Sequence, residues 1–332
     1  MHTVTAHISR RCRPLLASAV IVPVLLGVML AAHTPSASSR STAGARFTQA
    51  RVVAHRPAVR PSYGWPLKPF NRQHPVRGYL NDPRNGNGAK SFHFGIDISA
   101  PDGTAVYAVE AGEVFNKHGR HALAVKGATR TFGYWHVVPV VRNRQHVHAH
   151  QLLGHIVRGE GHVHFAERQR GEYLNPLRPG GIGPYVDRTP PTVSSVEFLR
   201  NGRAVAADAL TGRVDIVVEA FDTTPLLVPQ PWSREPVTPA LIRWSLARGS
   251  RRVIALRTAA DSLRAKLPER LYDSIYAPGT RQNHARDPGH YRFYLAHGFN
   301  TSRLPAGPWR LRIEAGDTRG NLAVVQLDIA HG

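Results

Sequence analysis

Two short segments carry residues whose types and spacing suit metal chemistry. The first is Phe92-His93-Phe94-Gly95-Ile96-Asp97-Ile98. Read as a strand, its side chains alternate between two faces. His93, Gly95 and Asp97 then share one face, and Phe94, Ile96 and Ile98 share the other. Gly95 leaves open space between an imidazole and a carboxylate. The second segment is Gly161-His162-Val163-His164-Phe165. Here His162 and His164 share a face while Val163 and Phe165 point into a core. Imidazole nitrogen and carboxylate oxygen are ligands that zinc favours, and a catalytic zinc site uses three of them and keeps a fourth position open. Four candidate groups on two strands are one more than needed, which leaves one to carry a proton. Each motif alone is weak in a chain with 19 His. The pair, in this order and bounded by glycines, is specific. No His-Glu-x-x-His occurs, so the scheme with a glutamate base on a zinc helix is excluded.

These groups must be positioned by a chain of 332 residues, enough for about two domains. At 42% hydrophobic residues it has material for ordinary cores, which excludes a fully disordered protein. There are 43 Lys+Arg against 22 Asp+Glu, a formal charge of +21. Only five of the basic residues are Lys, a skew that reads as coding bias in a GC-rich genome. The single cysteine, Cys12, excludes a disulfide framework, a Cys-based zinc finger and an iron–sulfur protein. Arg10, Arg11 and Arg13 precede an uncharged apolar stretch from Leu15 to Ala32. This is the pattern of a secretory signal. Its 18 residues also suffice for a single membrane anchor, so residues 1–32 read as one or the other. Ser9-Arg10-Arg11 is only a weak twin-arginine match, because Arg13-Pro14 follows it. Either way the expected location is exported: extracellular, cell-wall or periplasmic. Membrane contact is expected only through residues 15–32, if they are retained. Outside a bacterium the nearest polyanions are wall polymers and lipid headgroups, and no specific nucleic-acid motif is present.

Residues 33–62, rich in Ser, Ala, Arg and Pro, read as a disordered linker. From residue 63 to about 186, short apolar runs such as Ala105–Val109, Leu123–Val125 and Tyr134–Val141 are split by Gly, Pro and Asn, the pattern of a domain of short strands. Asp187-Arg188-Thr189-Pro190-Pro191 is a stiff joint to a second domain, 187–332. There Trp309, Leu311, Ile313 and Ala315 alternate with polar residues, as do Val325, Leu327 and Ile329. These two runs read as a half-buried antiparallel pair in a β-sandwich. Residues 223–290 are less regular, and Ile254 to Leu267 is predicted helical, stopped by Pro268. The expected fold class is therefore mainly β: an antiparallel β-sheet domain, then a β-sandwich-like domain with an irregular or partly helical insertion. Asp222-Thr223-Thr224 and Asp317-Thr318-Arg319 read as turn formers rather than calcium ligands. His146, His148 and His150 read as a solvated basic edge, His118 and His121 as loop surface, and Glu160 and Glu167 as exposed.

From about Trp65 to about Pro184 the sequence resembles the LytM/lysostaphin-type zinc endopeptidases, the M23 peptidase family. The resemblance rests on the His93–Asp97 segment, Ala100-Pro101-Asp102-Gly103-Thr104-Ala105-Val106-Tyr107-Ala108, Ala111-Gly112-Glu113-Val114, Tyr134-Trp135-His136 and the His162–His164 pair. It implies that His93, Asp97 and His164 bind Zn2+ and that His162 and His136 are catalytic. It also implies a metallopeptidase domain at 63–186 acting on the peptide part of bacterial peptidoglycan. Residues 187–332 look like the immunoglobulin- or fibronectin-type modules that accompany exported bacterial enzymes. The sequence departs from the family in its shortened Gln151-Leu152-Leu153-Gly154 run and in the basic, His-rich residues 142–150. Tyr79, 14 positions before His93, is not assigned the role of a family tyrosine. The alternative reading is a non-catalytic LytM-like protein that binds wall or activates another hydrolase. Such proteins commonly lack a ligand, and here every ligand is present.

Overall fold

The computed structural model describes residues 47–54, 59–85, 90–115, 119 and 121–331. The signal or anchor segment, Cys12 and His118 lie outside the described residues. The fold is mainly β, built from antiparallel sheets, as the sequence predicts.

In the first half, one sheet runs in the order His146–Val147, Gly112–Phe115, Ala122–Lys126, Thr131–Trp135, His162–Gln169, Ile96–Ser99, Val76–Gly78, with Glu172–Leu174 pairing at His162–Gln169. A three-stranded sheet of Val137–Pro139, Leu152–Ile156 and Ala105–Tyr107 accompanies it. The two enclose an apolar core that includes Trp65, Ile96, Ile98, Phe132, Tyr134, Val163 and Phe165. His162–Gln169 is central to the large sheet. Its first six residues are all buried, so its polar face is as dry as its apolar one. That burial is what makes its histidines unusual.

The first motif is not one strand. Ser91–Phe92 and Ile96–Ser99 are strands, but residues 93–95 are irregular. The break sends Phe92 into the core of the second half, against Tyr272 and Tyr276. Phe94 leaves the apolar face and packs beside the rings of Trp135, His164 and Tyr173. Alternation fails because the His93 loop is zipped to a neighbouring turn instead. His93 N donates to Asp82 O (2.9 Å), and Asn81 N donates to His93 O (2.9 Å).

In the second half, a five-stranded sheet runs Thr48–Val52, Leu322–His331, Gly307–Gly316, Leu241–Arg248, Arg251–Asp261. A four-stranded sheet runs Arg203–Val205, Thr192–Arg200, Arg213–Phe221, Arg292–Asn300. Their inner faces share one core, with Trp244, Ile313 and Val325 from the first and Val218 and Phe293 from the second. The predicted alternating pair is present as Gly307–Gly316 against Leu322–His331. Two expectations change. Thr48–Val52, within the predicted linker, is an edge strand paired to Leu322–His331. Of the helix predicted over 254–267, residues up to Asp261 belong instead to the strand Arg251–Asp261, a hairpin partner of Leu241–Arg248, and 262–267 are irregular. Its β-branched Val253, Ile254 and Thr258 suit an edge strand, and Val253 and Leu256 are exposed. Pro268 opens a 3-10 turn, Glu269–Leu271, rather than ending a helix.

Three carboxylates meet in the second half. Asp222 and Asp317 do form turns: Asp222 Oδ1 accepts from Thr223 N (2.8 Å), and Asp317 Oδ1 from Arg319 N (2.8 Å) and Asn321 N (2.9 Å). Their oxygens also lie within 4.8 Å of each other and of Asp187, and all three residues are buried. Burial pushes each carboxyl up, Asp187 to about 6, and for Asp187 and Asp222 the neighbouring carboxylates add to it. A carboxyl raised in the folded state holds its proton more tightly there than in the unfolded chain. Its contribution to stability is full below the unfolded value near 4 and is lost as pH rises through the folded one. Asp222→Asn is therefore expected to raise Tm at pH 7.5 by about 2–4 °C, the effect of roughly 1 kcal/mol in a domain of this size. The gain should vanish at pH 4. Thermal melts at the two pH values check this, and an equal effect at both would refute it.

Candidate metal centre

Strand pairing brings the two motifs together. The register places His164 opposite Asp97 on one side and opposite Trp135 on the other, and His162 opposite Ser99. His93 arrives from its loop. Its Nδ1 lies 2.8 Å from the carbonyl oxygen of Tyr79, an acceptor, so Nδ1 carries the hydrogen and Nε2 bears the lone pair. Tyr79 thus serves the site through its backbone, while its hydroxyl pairs with that of Tyr185 at 3.0 Å.

The three predicted ligands converge. His93 Nε2 is 2.7 Å from His164 Nδ1, and Asp97 Oδ1 is 3.1 Å from each of those nitrogens. All three residues are buried. Burial and the nearby charge of Arg84 push the His93 imidazole down to about 3. Burial likewise lowers His164 and takes His162 to about 4. Burial opposes the charge on Asp97, but the two histidines and Arg84 outweigh it and hold that carboxyl well below its usual range. Neutral imidazoles and an ionised carboxylate are the protonation states that bind metal. His164 Nε2, on the far side of the ring, is buried with no hydrogen-bond partner, so the ring's hydrogen-bonding edge is Nδ1, and Phe94 and Trp135 pack against the ring. Two imidazole nitrogens and one carboxylate oxygen, mutually in contact and out of water, form a donor set that fits zinc.

Two glycines make room for this set. A Cβ on Gly95 would lie 2.8 Å from His164 Nε2 and would also overlap the Phe165 carbonyl. A Cβ on Gly78 would lie 2.5 Å from Asp97 Oδ2. Gly95 therefore clears the His164 ring, which comes from another strand, rather than a gap between His93 and Asp97.

The two remaining predicted histidines lie beside the ligands. His162 Nε2 is 3.6 Å from Asp97 Oδ1. His136 follows the strand Thr131–Trp135 at φ 63°, and its ring centroid is 4.4 Å from that of His162. Its Nδ1 is 3.1 Å from Glu160 Oε2. All five predicted site residues thus share one cleft of about 520 Å³.

The cleft also holds residues that motif reading did not find. Arg84 donates to Asp97 Oδ2 and to Gln282 Oε1, both at 2.9 Å. Arg77 Nη2 lies 2.7 Å from His162 Nδ1. Trp232, Gln282 and His284 come from the second half and line the same cleft. Glu160, expected to be exposed, is half-buried against His136. Glu167, also expected to be exposed, is fully buried, with Arg178 on both carboxylate oxygens and the Tyr63 hydroxyl on one. It braces the strand that carries the two histidines. His146, His148 and His150 are exposed and, among the described residues, join no metal-competent group. His150 stacks on Phe70. His121 is on the surface, as expected.

Residues 91–176, roughly a quarter of the chain, match the family model Peptidase family M23. The matched segment contains His93, Asp97, His136, His162 and His164. No curated protein matches the chain. Among solved structures it is similar to a zinc-containing peptidase from Vibrio cholerae, at 23% identity and TM-score 0.30, over 35% of this chain and 39% of that one. It is also similar to the catalytic domain of the prophage-encoded M23 protein EnpA from Enterococcus faecalis, solved as a point mutant, at 25% identity and TM-score 0.27, over 36% of this chain and 97% of that one. A third likeness is to lysostaphin, at 12% identity and TM-score 0.26, over 80% and 87% of the two chains. The chain spans about two fifths of the length of the Vibrio cholerae peptidase. A segment matching the M23 peptidase model thus lies within a longer β-rich chain. The second half is two sheets over one core.

The space left by Gly95 gives a direct test. Gly95→Ala is expected to fold but to bind zinc at least about tenfold more weakly, the size of effect seen when groups that orient a ligand are disturbed. Competition with a chromophoric chelator measures it, and unchanged affinity would show that the His164 ring does not need this space.

Proposed function

We propose that the protein is an exported zinc-dependent endopeptidase that hydrolyses peptide bonds of bacterial peptidoglycan. The observation that carries this reading is the convergence of His93, Asp97 and His164, with His162 and His136 beside them and off the ligand set. Zinc, when bound by the first three, supplies a Lewis acid and a water acidic enough to attack near neutral pH. One carboxylate among the three ligands leaves net positive charge at the metal, which suits polarisation of a peptide carbonyl.

The chain's own residues supply the rest. Asp97 stays ionised because Arg84 and the histidines hold it so. His162 and His136 sit where the water proton and the developing oxyanion must be managed. Phe94 and Trp135 give the cleft an aromatic side against which an extended peptide backbone can lie, and Tyr173 packs on Phe94. The basic composition favours an anionic wall as the setting, and anionic wall polymers are partners consistent with it. The apolar stretch 15–32 supports export.

Digestion of purified peptidoglycan by the zinc-loaded full chain, with product masses read, tests the reading. Defined muropeptide fragments are expected. His93→Ala is expected to lose zinc and turnover together. His162→Ala is expected to keep zinc and lose about 10²–10⁴-fold in turnover. Zinc bound without any fragments would favour the wall-binding or hydrolase-activating alternative. Full activity in His162→Ala would refute its catalytic role.

A further inference from the structure

Strand register lays out, in rows, the face of the large sheet that bears the metal ligands. The first row is Asp97, His164, Trp135 and Ala122. Two residues further along the strands come Ala166, Gly133, Ala124 and Phe115, small apart from the last. Two residues beyond these come Arg168, Thr131 and Lys126. Alternate residues of a strand share a face, so all three rows point the same way. The residues between them, Phe165, Tyr134, Phe132 and Val125, fill the core behind. Small residues between two taller rows make this face a trough. A pocket of about 240 Å³ lies in it, lined from all three rows and by Tyr173, which pairs with Arg168 from the next strand.

The indole of Trp135 joins this trough to the metal centre. It meets the His164 ring edge-on, 5.0 Å between centroids, and it lines both the cleft and the trough. Gly133 makes this possible. A Cβ there would overlap the six-membered ring of the indole, so the ring lies over the second row and points from the metal toward the cations. Those cations are uncommitted. Arg168 and Lys126 are exposed, and among the described residues no ion pair includes either. The acids nearest in register or sequence are already held. Glu113, opposite Lys126, pairs with Arg144, Glu167 with Arg178 and Glu172 with Arg264. Arg168 Nε donates weakly to the Gly171 carbonyl, at 3.4 Å, and its guanidinium carbon lies 5.8 Å from the centroid of the Tyr173 ring.

Two free cations at the end of an apolar trough match a ligand with an apolar body and a carboxylate at a set distance from the metal. The strands set that distance. His164 to Arg168 is a step of four residues, about 13 Å at the rise of an antiparallel strand. An extended peptide lying along the trough has nearly the same rise. With one of its carbonyls at the metal, a residue about three or four positions away lies beside the cations. We propose that the trough is a specificity subsite for peptides that carry a carboxylate at that spacing from the scissile bond. Arg168 and Lys126 pair with the carboxylate, and Trp135 carries the backbone in between. The spacing from a scissile bond rests on the peptidase reading; the preference for a carboxylate rests on the trough alone. A side chain and a chain terminus can both supply the group.

The test offers the zinc-loaded full chain soluble muropeptides, and the same muropeptides with their carboxylates converted to amides. Amidation is expected to lower kcat/KM about tenfold, mostly through KM, the size of one charge-assisted pairing. Arg168→Met combined with Lys126→Met is expected to lose the same factor on the native muropeptides and nothing further on the amidated ones. Both side chains are exposed, so this double variant should keep its Tm and its zinc. Arg252→Met combined with Arg257→Met removes the same charge from the exposed edge strand Arg251–Asp261 and should leave kcat/KM unchanged. Equal losses in the two double variants would show general attraction to an anionic substrate and overturn the subsite. So would a native chain that cuts both substrates alike. Synthetic peptides of the cut sequence, amidated at the terminus alone or at side chains alone, identify which carboxylate is read. If nothing is cut, calorimetric binding of the same two substrates decides separately. A preference for free carboxylates that the Arg168→Met, Lys126→Met pair abolishes would uphold the subsite and reject the peptidase reading. Equal binding of both substrates would reject the subsite as well.

Discussion

Two imidazoles and a carboxylate that face one another out of water cannot all present lone pairs without a cation among them. The site is built to that constraint. Tyr79 O takes the hydrogen of His93 Nδ1, which leaves Nε2 to face His164 and Asp97. Burial keeps the imidazoles neutral, and Arg84 helps keep Asp97 charged. Burial opposes a positive charge on either histidine. Much of the surrounding structure serves this arrangement. Gly78 and Gly95 clear the space, and the His162–Gln169 strand, braced by Glu167 and Arg178, fixes the register that sets His164 against Asp97.

The second half of the chain is not a separate appendage to that site. Gln282 shares Arg84 with Asp97, and Trp232 lies against Arg77. Phe92, one residue before a ligand, packs into the second core, and its amide donates to Glu269 Oε2 at 2.8 Å. The Tyr276 hydroxyl donates to the Asn81 carbonyl at 2.7 Å, in the turn that zips the His93 loop. The loop that delivers the first ligand is therefore held on both sides. This explains why it departs from strand geometry at residues 93–95.

Four candidate groups, His93, Asp97, His162 and His164, were legible in the sequence because their spacing repeats a physical rule: alternate residues on a strand share a face; the choice of three among them came from the family resemblance. That rule holds for His162 and His164, and it worked for His93 and Asp97 even though the strand breaks between them. The residues that orient the site were not legible. Arg77, Glu160, Trp232 and Gln282 reach the cleft through long-range packing, and no local spacing marks them. In the second half, Ile254 to Leu267 has apolar residues at helical intervals, but its fate was set by the strand Leu241–Arg248, whose outer edge it pairs with. Asp187, Asp222 and Asp317 each read as ordinary turn residues. Only the folded chain shows that they meet.

The central claim is that His93, Asp97 and His164 form one zinc site. Crystals of the full chain grown with zinc, and diffraction recorded on either side of the zinc absorption edge, test it most directly. The account predicts one strong anomalous peak per chain, bonded to His93 Nε2, an Asp97 carboxylate oxygen and His164 Nδ1, with His162 and His136 near it and unbonded. A peak held by a different set of residues, or none at these three in zinc-saturated crystals, would contradict it.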